Sequence, residues 1–494
     1  MRRLMTTTLL FGLFLSGTAM AAPPKGPWVF DSTPDFPGFT RLVVDAKGGK
    51  ITSHWYGDLP LTDLRRDGDK LIFKIYNGNP RVAMSDIVVA REGATIRMTG
   101  KLWYQDFDIT AHKGKRAEVA ALDFHSSPLP ARRVVTQKNL APIPPMGWSS
   151  WNKFATNIDD TTIRQIADAM VSSGLRDAGY IYVNIDDGWQ GQRDANGVLQ
   201  PNAHFPDMKA LADYVHARGL KLGIYTSPGP KSCAGFEGSY GHIEQDAKTY
   251  AAWGIDYLKY DLCSGEAFYN TADTVYATYQ QMGEALNATQ RDIVYSLCEY
   301  GRFDVGSWGR DVSGYLWRTT GDIEDSYATM AKIGFDKNGV ANHTGPNGWN
   351  DPDMLEIGNG GMTTEEYRTH MSLWAMMAAP LVLGNDVRTM TPDTLALLTN
   401  PEVIAVDQDA LGAQGLPAKK DGTSEVWTKH LADGGTAVGL FNRAESPVTI
   451  TGAWADIGLT GTMARNLWTR SDSALTATYS YEVPAHGVVL LKLK

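Results

Sequence analysis

The chain divides by the way its apolar positions recur. Over 25–135, runs such as Lys70-Leu71-Ile72-Phe73-Lys74-Ile75-Tyr76 and Ala94-Thr95-Ile96-Arg97-Met98 alternate or nearly alternate apolar with polar, and Gly48-Gly49, Asp67-Gly68, Asn77-Gly78 and Glu92-Gly93 punctuate them. That period of two with glycine turns predicts strands of a small N-terminal all-β domain. Its aromatics Trp55, Tyr56, Trp103 and Tyr104 have two readings. They fill a sandwich core or the seam against the next domain, the commoner fate of such residues, or they form an exposed platform for carbohydrate. The prolines of Ala141-Pro142-Ile143-Pro144-Pro145 fix their own φ and restrict the residue before them, which makes a stiff connector and a domain boundary.

From Met146 onward the pattern becomes apolar run, polar tip, helix, repeated. The runs are Met146-Gly147-Trp148-Ser149-Ser150-Trp151; Ile181-Tyr182-Val183-Asn184-Ile185, leading to Asp186-Asp187-Gly188-Trp189; Leu220-Lys221-Leu222-Gly223-Ile224-Tyr225; and Tyr257-Leu258-Lys259-Tyr260-Asp261. Then come Asp292-Ile293-Val294-Tyr295-Ser296, ending at Cys298-Glu299-Tyr300; Leu316-Trp317-Arg318, ending near Asp322; Trp349-Asn350-Asp351; and Pro380-Leu381-Val382-Leu383-Gly384-Asn385-Asp386. Helical stretches are expected at 208–218 and 244–253. Eight strands alternating with helices predict a (β/α)8 TIM barrel over 141–410, whose functional groups gather where strands turn into loops at the carboxyl-terminal face. Asp186, Asp187, Tyr225, Lys259, Asp261, Arg318, Asp322 and Asp351 all fall there. After residue 410 short strands separated by turns return, and predict a C-terminal antiparallel β-sandwich over 411–494. The fold class is therefore α/β, with β domains on both sides of the barrel.

Residues 1–21 read as a signal peptide. Arg2 and Arg3 precede an apolar stretch over 9–15, and Ala19-Met20-Ala21 offers the small-x-small site for cleavage before Ala22. The apolar core is too short to span a bilayer, no other stretch is long enough, and no cysteine follows the cut, so a secreted or periplasmic protein is expected rather than an anchored one. The three cysteines, Cys233, Cys263 and Cys298, permit one disulfide and one thiol, too few to staple the fold. With 494 residues, 43% hydrophobic and 20% charged, the domains stand on their own cores. A net charge of −9 argues against a nucleic-acid partner. Fourteen tryptophans and 21 tyrosines suit a site that stacks on sugar faces.

Residues two apart on a strand share a face, so Lys259 and Asp261 project together. An ion pair sealing the sheet gives the same pattern, but the other polar tips favour a site. Two carboxylates flanking a sugar acetal can cleave it. Asp261 is the candidate nucleophile, with Lys259 favouring its charged form. Asp322, in a mostly uncharged tip after Thr319-Thr320-Gly321, is the candidate acid, with a pKa raised by desolvation; by itself it would read as a helix cap. Asp186 and Asp187 lie on opposite faces of an extended strand, one free to bind sugar hydroxyls and the other to support its loop. Trp151 and Trp189 would wall the ring. A metal site lacks ligand spacing and a nucleotide site lacks its glycine-rich motif, so no metal or cofactor is expected.

The segments Pro145-Met146-Gly147-Trp148-Ser149-Ser150-Trp151-Asn152, Asp186-Asp187-Gly188-Trp189, Gly219 to Tyr225, Trp253 to Asp261 and Trp349-Asn350-Asp351-Pro352-Asp353-Met354-Leu355 resemble the α-galactosidases of glycoside hydrolase family 27. The resemblance covers about 141–410 and implies a retaining hydrolase for terminal α-linked galactose, with a terminal sandwich and with the N-terminal β domain outside it. It implies Asp261 as nucleophile and Asp322 as acid/base; Asp186, Asp187, Tyr225, Lys259, Arg318 and Asp351 as ligands of galactose; Trp151 as the wall beneath the ring; and Cys233 with Cys263 as a disulfide beside the pocket. The carboxyl groups of the pair should lie about 5–5.5 Å apart. The sequence departs from the family at Gly188, where cysteine is frequent, at Thr226-Ser227-Pro228-Gly229, and at Tyr300, where tryptophan often follows Cys-Glu. That last segment lies near the sugar's 2-position, where Cys298 and Glu299 leave little room for an acetamido group, and retention of Asp187 argues against arabinopyranose. The implied partner is a galactose-containing saccharide, with no nucleic acid, no membrane span, and self-association into a homo-oligomer left open. Relatives specific for β-L-arabinopyranosides, α-N-acetylgalactosaminides or an α-glucan are alternatives, as is a non-catalytic sugar-binding protein.

Overall fold

The computed structural model of the chain describes residues 26–30, 38–45, 48–53, 57–75, 86–102, 105–114, 128–339 and 343–494. The signal-peptide reading of 1–21 and the aromatics Trp55, Tyr56, Trp103 and Tyr104 lie outside the described residues.

The N-terminal strands, Gly26–Phe30, Phe39–Asp45, Gly48–Ser53, Gly57–Asp67, Lys70–Ile75, Ile87–Glu92, Thr95–Leu102 and Gln105–Lys113, pair antiparallel in sequence order. The first closes onto the last, Val29 opposite His112, so the domain is a closed barrel rather than a sandwich. The period of two accounts for it: every second residue points inward, and Phe39, Leu42, Ile51, Phe73, Val89 and Met98 fill the interior. Closure also removes the unpaired edges a small sandwich would leave exposed. The connector beyond it lies along the next domain. Arg133 pairs with Glu284 at 2.7 Å and its carbonyl accepts the Tyr276 hydroxyl at 3.0 Å, while Gln137 donates to the Gly314 and Asn347 carbonyls.

The next eight strands are β1 (Met146–Ser149), β2 (Tyr182–Asn184), β3 (Lys221–Thr226), β4 (Tyr257–Asp261), β5 (Val294–Cys298), β6 (Leu316–Arg318), β7 (Trp349–Asp351) and β8 (Leu381–Leu383). They form one parallel TIM-like sheet in the order β7-β6-β5-β4-β3-β2-β1-β8. A parallel bridge from Leu355 to Leu383 crosses the remaining seam, with the Leu355 N–H donating to the Val382 carbonyl at 2.7 Å. Covered on both faces, the strands are short and almost wholly buried. Side-chain caps set where helices begin: Asp159 before Asp160–Ser172, Asp207 before Met208–His216, and a Thr363/Glu366 capping box before Thr364–Met377. Helix Ile243–Trp253 stops at Gly254, whose left-handed φ of 88° turns the chain into β4. Asp256 then anchors the amino end of β4 by accepting from the Leu222 N–H at 2.9 Å and from Arg291 at 2.7 Å. The carboxyl end is left to present Lys259 and Asp261.

Beyond the barrel, Leu416–Asp421, Ser424–His430, Thr436–Asn442, Met463–Asn466, Ser471–Ala474 and Val488–Leu493 form a six-stranded antiparallel sheet, and Val448–Ala453 pairs with Thr478–Val483. The two sheets share a core that includes Leu440, Ile450, Trp454, Tyr479 and Leu491. Trp427 and Phe441 belong instead to the barrel's hydrophobic cluster, and Lys429 crosses the same junction to donate to the Ala375 and Val406 carbonyls at 2.9 and 2.6 Å. Among the described residues no helix is long and apolar enough to cross a membrane.

Candidate active site

The carboxyl ends of β2 to β7 bring most of the sequence-derived candidates together. Parallel register sets Tyr225 beside Lys259, Asp261 beside Cys298, and Arg318 beside Asp351. Asp261 is 5% exposed and sits between two tyrosines. Tyr300 donates to its Oδ1 at 2.6 Å and Tyr225 to its Oδ2 at 3.1 Å. Burial pushes its pKa up to about 6 against the opposing pull of Lys259 and the Tyr300 hydroxyl, and the charge of Asp322 adds to the rise. From the sequence, Lys259 is the influence expected on Asp261. Desolvation outweighs it here, yet a pKa near 6 still leaves the carboxylate mostly ionised at pH 7.

Lys259 pairs with Asp186, Nζ to Oδ2 at 2.9 Å. Burial lowers the lysine's pKa, but the Asp186 and Asp261 charges more than reverse this, so it is held well above its usual value. Asp186 also accepts from Ser149 Oγ at 3.3 Å and from the Asp187 N–H at 2.9 Å. Asp187 accepts the Ala234 N–H at 2.7 Å, while its buried Oδ1 has no protein partner. Burial raises its pKa to about 7. The loop carrying Ala234 is tied to the end of β4 by the Cys233–Cys263 disulfide. Cys233, Asp261 and Cys263 are the one group of potential metal-ligating side chains within 4.8 Å of one another among the described residues, but the disulfide removes both thiolates.

Asp322 departs from its predicted surroundings. Arg318, at the end of β6, donates to its Oδ1 at 3.1 Å and pairs with Asp353 at 2.9 Å, so the tip is charged rather than mostly uncharged. Arg318 was predicted from its strand-end position; the connection through Asp353 was not. Asp353 is buried, takes φ 86°, and accepts the N–H of Ile323, the residue after Asp322, at 2.8 Å. It therefore fixes the loop that carries Asp322, and its place two residues after Asp351 was the signal available in the sequence. Asp351 accepts the Asp353 N–H at 2.9 Å, and burial pushes its pKa up to about 6.

Cys298 is buried, free of any disulfide, and 3.9 Å from Arg318 Nη1. Glu299 is fully buried; it accepts the Gly301 N–H at 3.1 Å, and burial raises its pKa to about 8, so it carries its proton at neutral pH. Trp151 is half-buried and lines a cavity of about 470 Å3 with Ile323, Asp325 and Glu356. Trp189 is no wall of the site. It is 0% exposed, packs edge-on against Tyr250 and Trp253, and donates to the Tyr225 carbonyl at 2.8 Å, because the chain turns inward at Gly188, φ 115°. A cysteine at position 188 would be strained in that conformation. Tyr300, noted in the sequence only as a departure, is the unexpected member of the site.

Comparison with known proteins bears on this arrangement. Residues 143–409 match the family described as alpha galactosidase A, and 421–493 match the alpha galactosidase C-terminal beta sandwich domain. An alpha-galactosidase of Cyamopsis tetragonoloba is 49% identical over 364 residues, covering 72% of this chain and 87% of that protein. The crystal structure of alpha-galactosidase I from Mortierella vinacea superposes with a TM-score of 0.70 at 38% identity, over 72% of this chain and 97% of its own. A Bacteroides fragilis structure reaches the same TM-score at 32% identity while covering 95% of this chain and 98% of its own, so that likeness extends into the N-terminal β domain.

Proposed function

The chain belongs to the α-galactosidase A family, and from that premise we propose that it removes terminal α-linked galactose with retention of configuration, by double displacement. It is a glycoside hydrolase of terminal α-galactosides. The observation that carries the finer reading is Asp261: a buried carboxylate, ionised at neutral pH, held at both oxygens by tyrosine hydroxyls, with Asp322 near enough for its charge to act on it.

In this reading an Asp261 oxygen attacks the anomeric carbon while Asp322 gives its proton to the departing glycosidic oxygen. Asp322 then takes a proton from water, which displaces Asp261 from the same carbon. Two inversions leave the configuration unchanged. The Lys259–Asp186 pair, the unpartnered Asp187 Oδ1, Arg318 and Asp351 supply charged and hydrogen-bonding groups for the ring hydroxyls, and Trp151 the apolar face. Cys298 and the protonated Glu299 crowd the region assigned to the 2-position, which favours galactose over 2-acetamido galactose. The first 21 residues are read as a signal for export to the periplasm or exterior, which suits the disulfide.

Proton NMR of a reaction with 4-nitrophenyl α-galactoside tests the stereochemistry. The first sugar formed is expected to be the α anomer; the β anomer first would refute double displacement. The α-N-acetylgalactosaminide and β-L-arabinopyranoside, run alongside, are expected to be poor substrates, and preference for either would overturn the assignment at the 2-position or at the hydroxymethyl arm.

A further inference from the structure

We propose that Tyr300 is a positioning residue for Asp261, fixing Oδ1 as the oxygen that stays out of the glycosyl bond and leaving Oδ2 to attack. The two hydroxyls on this carboxylate are not equivalent. The Tyr300 bond, at 2.6 Å, has the length of a charge-assisted O–H donor on a carboxylate, and the Tyr225 bond, at 3.1 Å, does not. Tyr225 also divides its attention, with its hydroxyl 2.9 Å from Cys263 Sγ. A lone pair engaged by a strong donor is the poorer nucleophile, so Oδ2 is released at lower cost.

The backbone supports the assignment. Tyr300 has φ 63°, followed by Gly301 at 75°, Phe303 at 53° and Asp304 at 52°. A bulky aromatic residue adopts that conformation only where its surroundings impose it, and such positions concentrate at working sites. The turn delivers the hydroxyl to Asp261 and to within 3.3 Å of Cys233 Sγ, so the disulfide bounds the site from the other side.

The consequence falls unequally on the two steps, and it rests on the double-displacement reading above. In the first step an Oδ2 pair forms the bond to the anomeric carbon, the glycosidic bond breaks, and its electron pair takes the proton of Asp322. Oδ1 becomes the ester carbonyl and its bond from Tyr300 weakens. In the second step water attacks, its proton passes to Asp322, and the C–Oδ2 pair returns to the carboxylate, so charge grows on Oδ1 where Tyr300 waits. Tyr300 therefore speeds departure of Asp261 and holds its basicity down. The other ionisable groups that face Asp261 are Lys259 on its own strand, Asp186 and Asp187 after β2, Tyr225 on β3, Glu266 in the turn after β4, Cys298 and Glu299 at the end of β5 and Asp322 after β6. All of them keep their side chains when the Tyr300 hydroxyl is removed.

Tyr300→Phe tests this, with Tyr300→Met as a second donor-free variant should the first fail to fold. With 4-nitrophenyl α-galactoside, loss of a hydrogen bond to a charged group is expected to move the acid limb of kcat/KM up by about one pH unit. kcat and KM should fall together, and a pre-steady-state burst of 4-nitrophenol should grow as the glycosyl enzyme accumulates. Folded variants with the acid limb in place and no added burst would overturn the proposal. Asp261→Asn in the same assay separates the two claims: an inactive Asp261→Asn beside an unshifted Tyr300→Phe removes the role of Tyr300 alone, whereas an active Asp261→Asn removes the reading beneath it.

Discussion

Lys259→Met keeps an unbranched side chain of similar reach and removes the charge between two buried carboxylates. The lysine nitrogen lies 2.9 Å from Asp186, which is 3% exposed. At an effective dielectric near 20 the attraction at that distance is about 6 kcal/mol. Desolvation of both ions offsets much of it, and stranding one member of a buried pair costs about 3–5 kcal/mol net. Because the folded protein holds the lysine pKa above its unfolded value, this contribution is fully present at pH 7 and is lost only as pH rises through the folded value. The same substitution removes the largest influence opposing burial at Asp261, whose pKa must then rise further. Urea unfolding at pH 7, followed by tryptophan fluorescence, should show a loss of about 3–5 kcal/mol. The acid limb of kcat/KM for 4-nitrophenyl α-galactoside, expected near pH 6 in the wild type, should move up. A stability change under about 1 kcal/mol, together with an unmoved limb, would refute the reasoning, because it would mean that the pair is solvated in solution.

Asp261 links pH to stability in the same direction, but at pH 7 its charge is a cost where that of Lys259 is a gain. Its folded pKa of about 6 lies above the unfolded value of 3.8, so its burial costs stability as pH rises through that window. Asp261→Asn should therefore be more stable than wild type at pH 7 by up to about 3 kcal/mol, with the difference fading toward pH 4, as read from paired denaturation curves. At the junction of barrel and C-terminal sheet, Lys429 is 1% exposed and donates to two backbone carbonyls beside buried Asp407. Burial pulls the Lys429 pKa down and pushes that of Asp407 up, each restrained by the other. Lys429→Met leaves those two carbonyls without their donor, at about 1–3 kcal/mol each, but also removes a buried charge whose folded pKa of about 8 lies below the free 10.5 and so costs stability at pH 7; urea unfolding should therefore show a smaller loss than Lys259→Met, with kcat/KM below the transition unchanged.

The barrel was legible because its strands are buried on both faces and end in polar tips, a pattern that survives in a single sequence. The order of those tips gathers Asp186, Tyr225, Lys259, Asp261 and Arg318 at one face, while the pairing of Lys259 with Asp186 and of Asp261 with Cys298 comes from the structure. Three features were not legible. Strand alternation in the N-terminal domain fits a sandwich and a closed barrel equally, since each hides one face; closure depends on the pairing of the first strand with the last. Trp189 read as a wall because sequence gives proximity to Asp187 but not direction, and the left-handed turn at Gly188 sends the ring into the core. The tip carrying Asp322 reads as mostly uncharged from Thr319-Thr320-Gly321, whereas Arg318, four residues earlier, reaches Asp322 and joins it to Asp353 beyond β7. Tyr300 stood out only as a departure; that its hydroxyl reaches Asp261 depends on the left-handed conformation of its backbone.

The central claim is that Asp261 becomes covalently joined to the sugar. Reaction with an activated fluorinated galactosyl fluoride that forms the glycosyl enzyme faster than it decays, followed by peptide mass spectrometry, addresses it directly. A single added glycosyl group on the peptide carrying Asp261, absent in Asp261→Asn, is the result predicted. A label on another carboxylate, or rapid inactivation of Asp261→Asn by the same reagent, would contradict it.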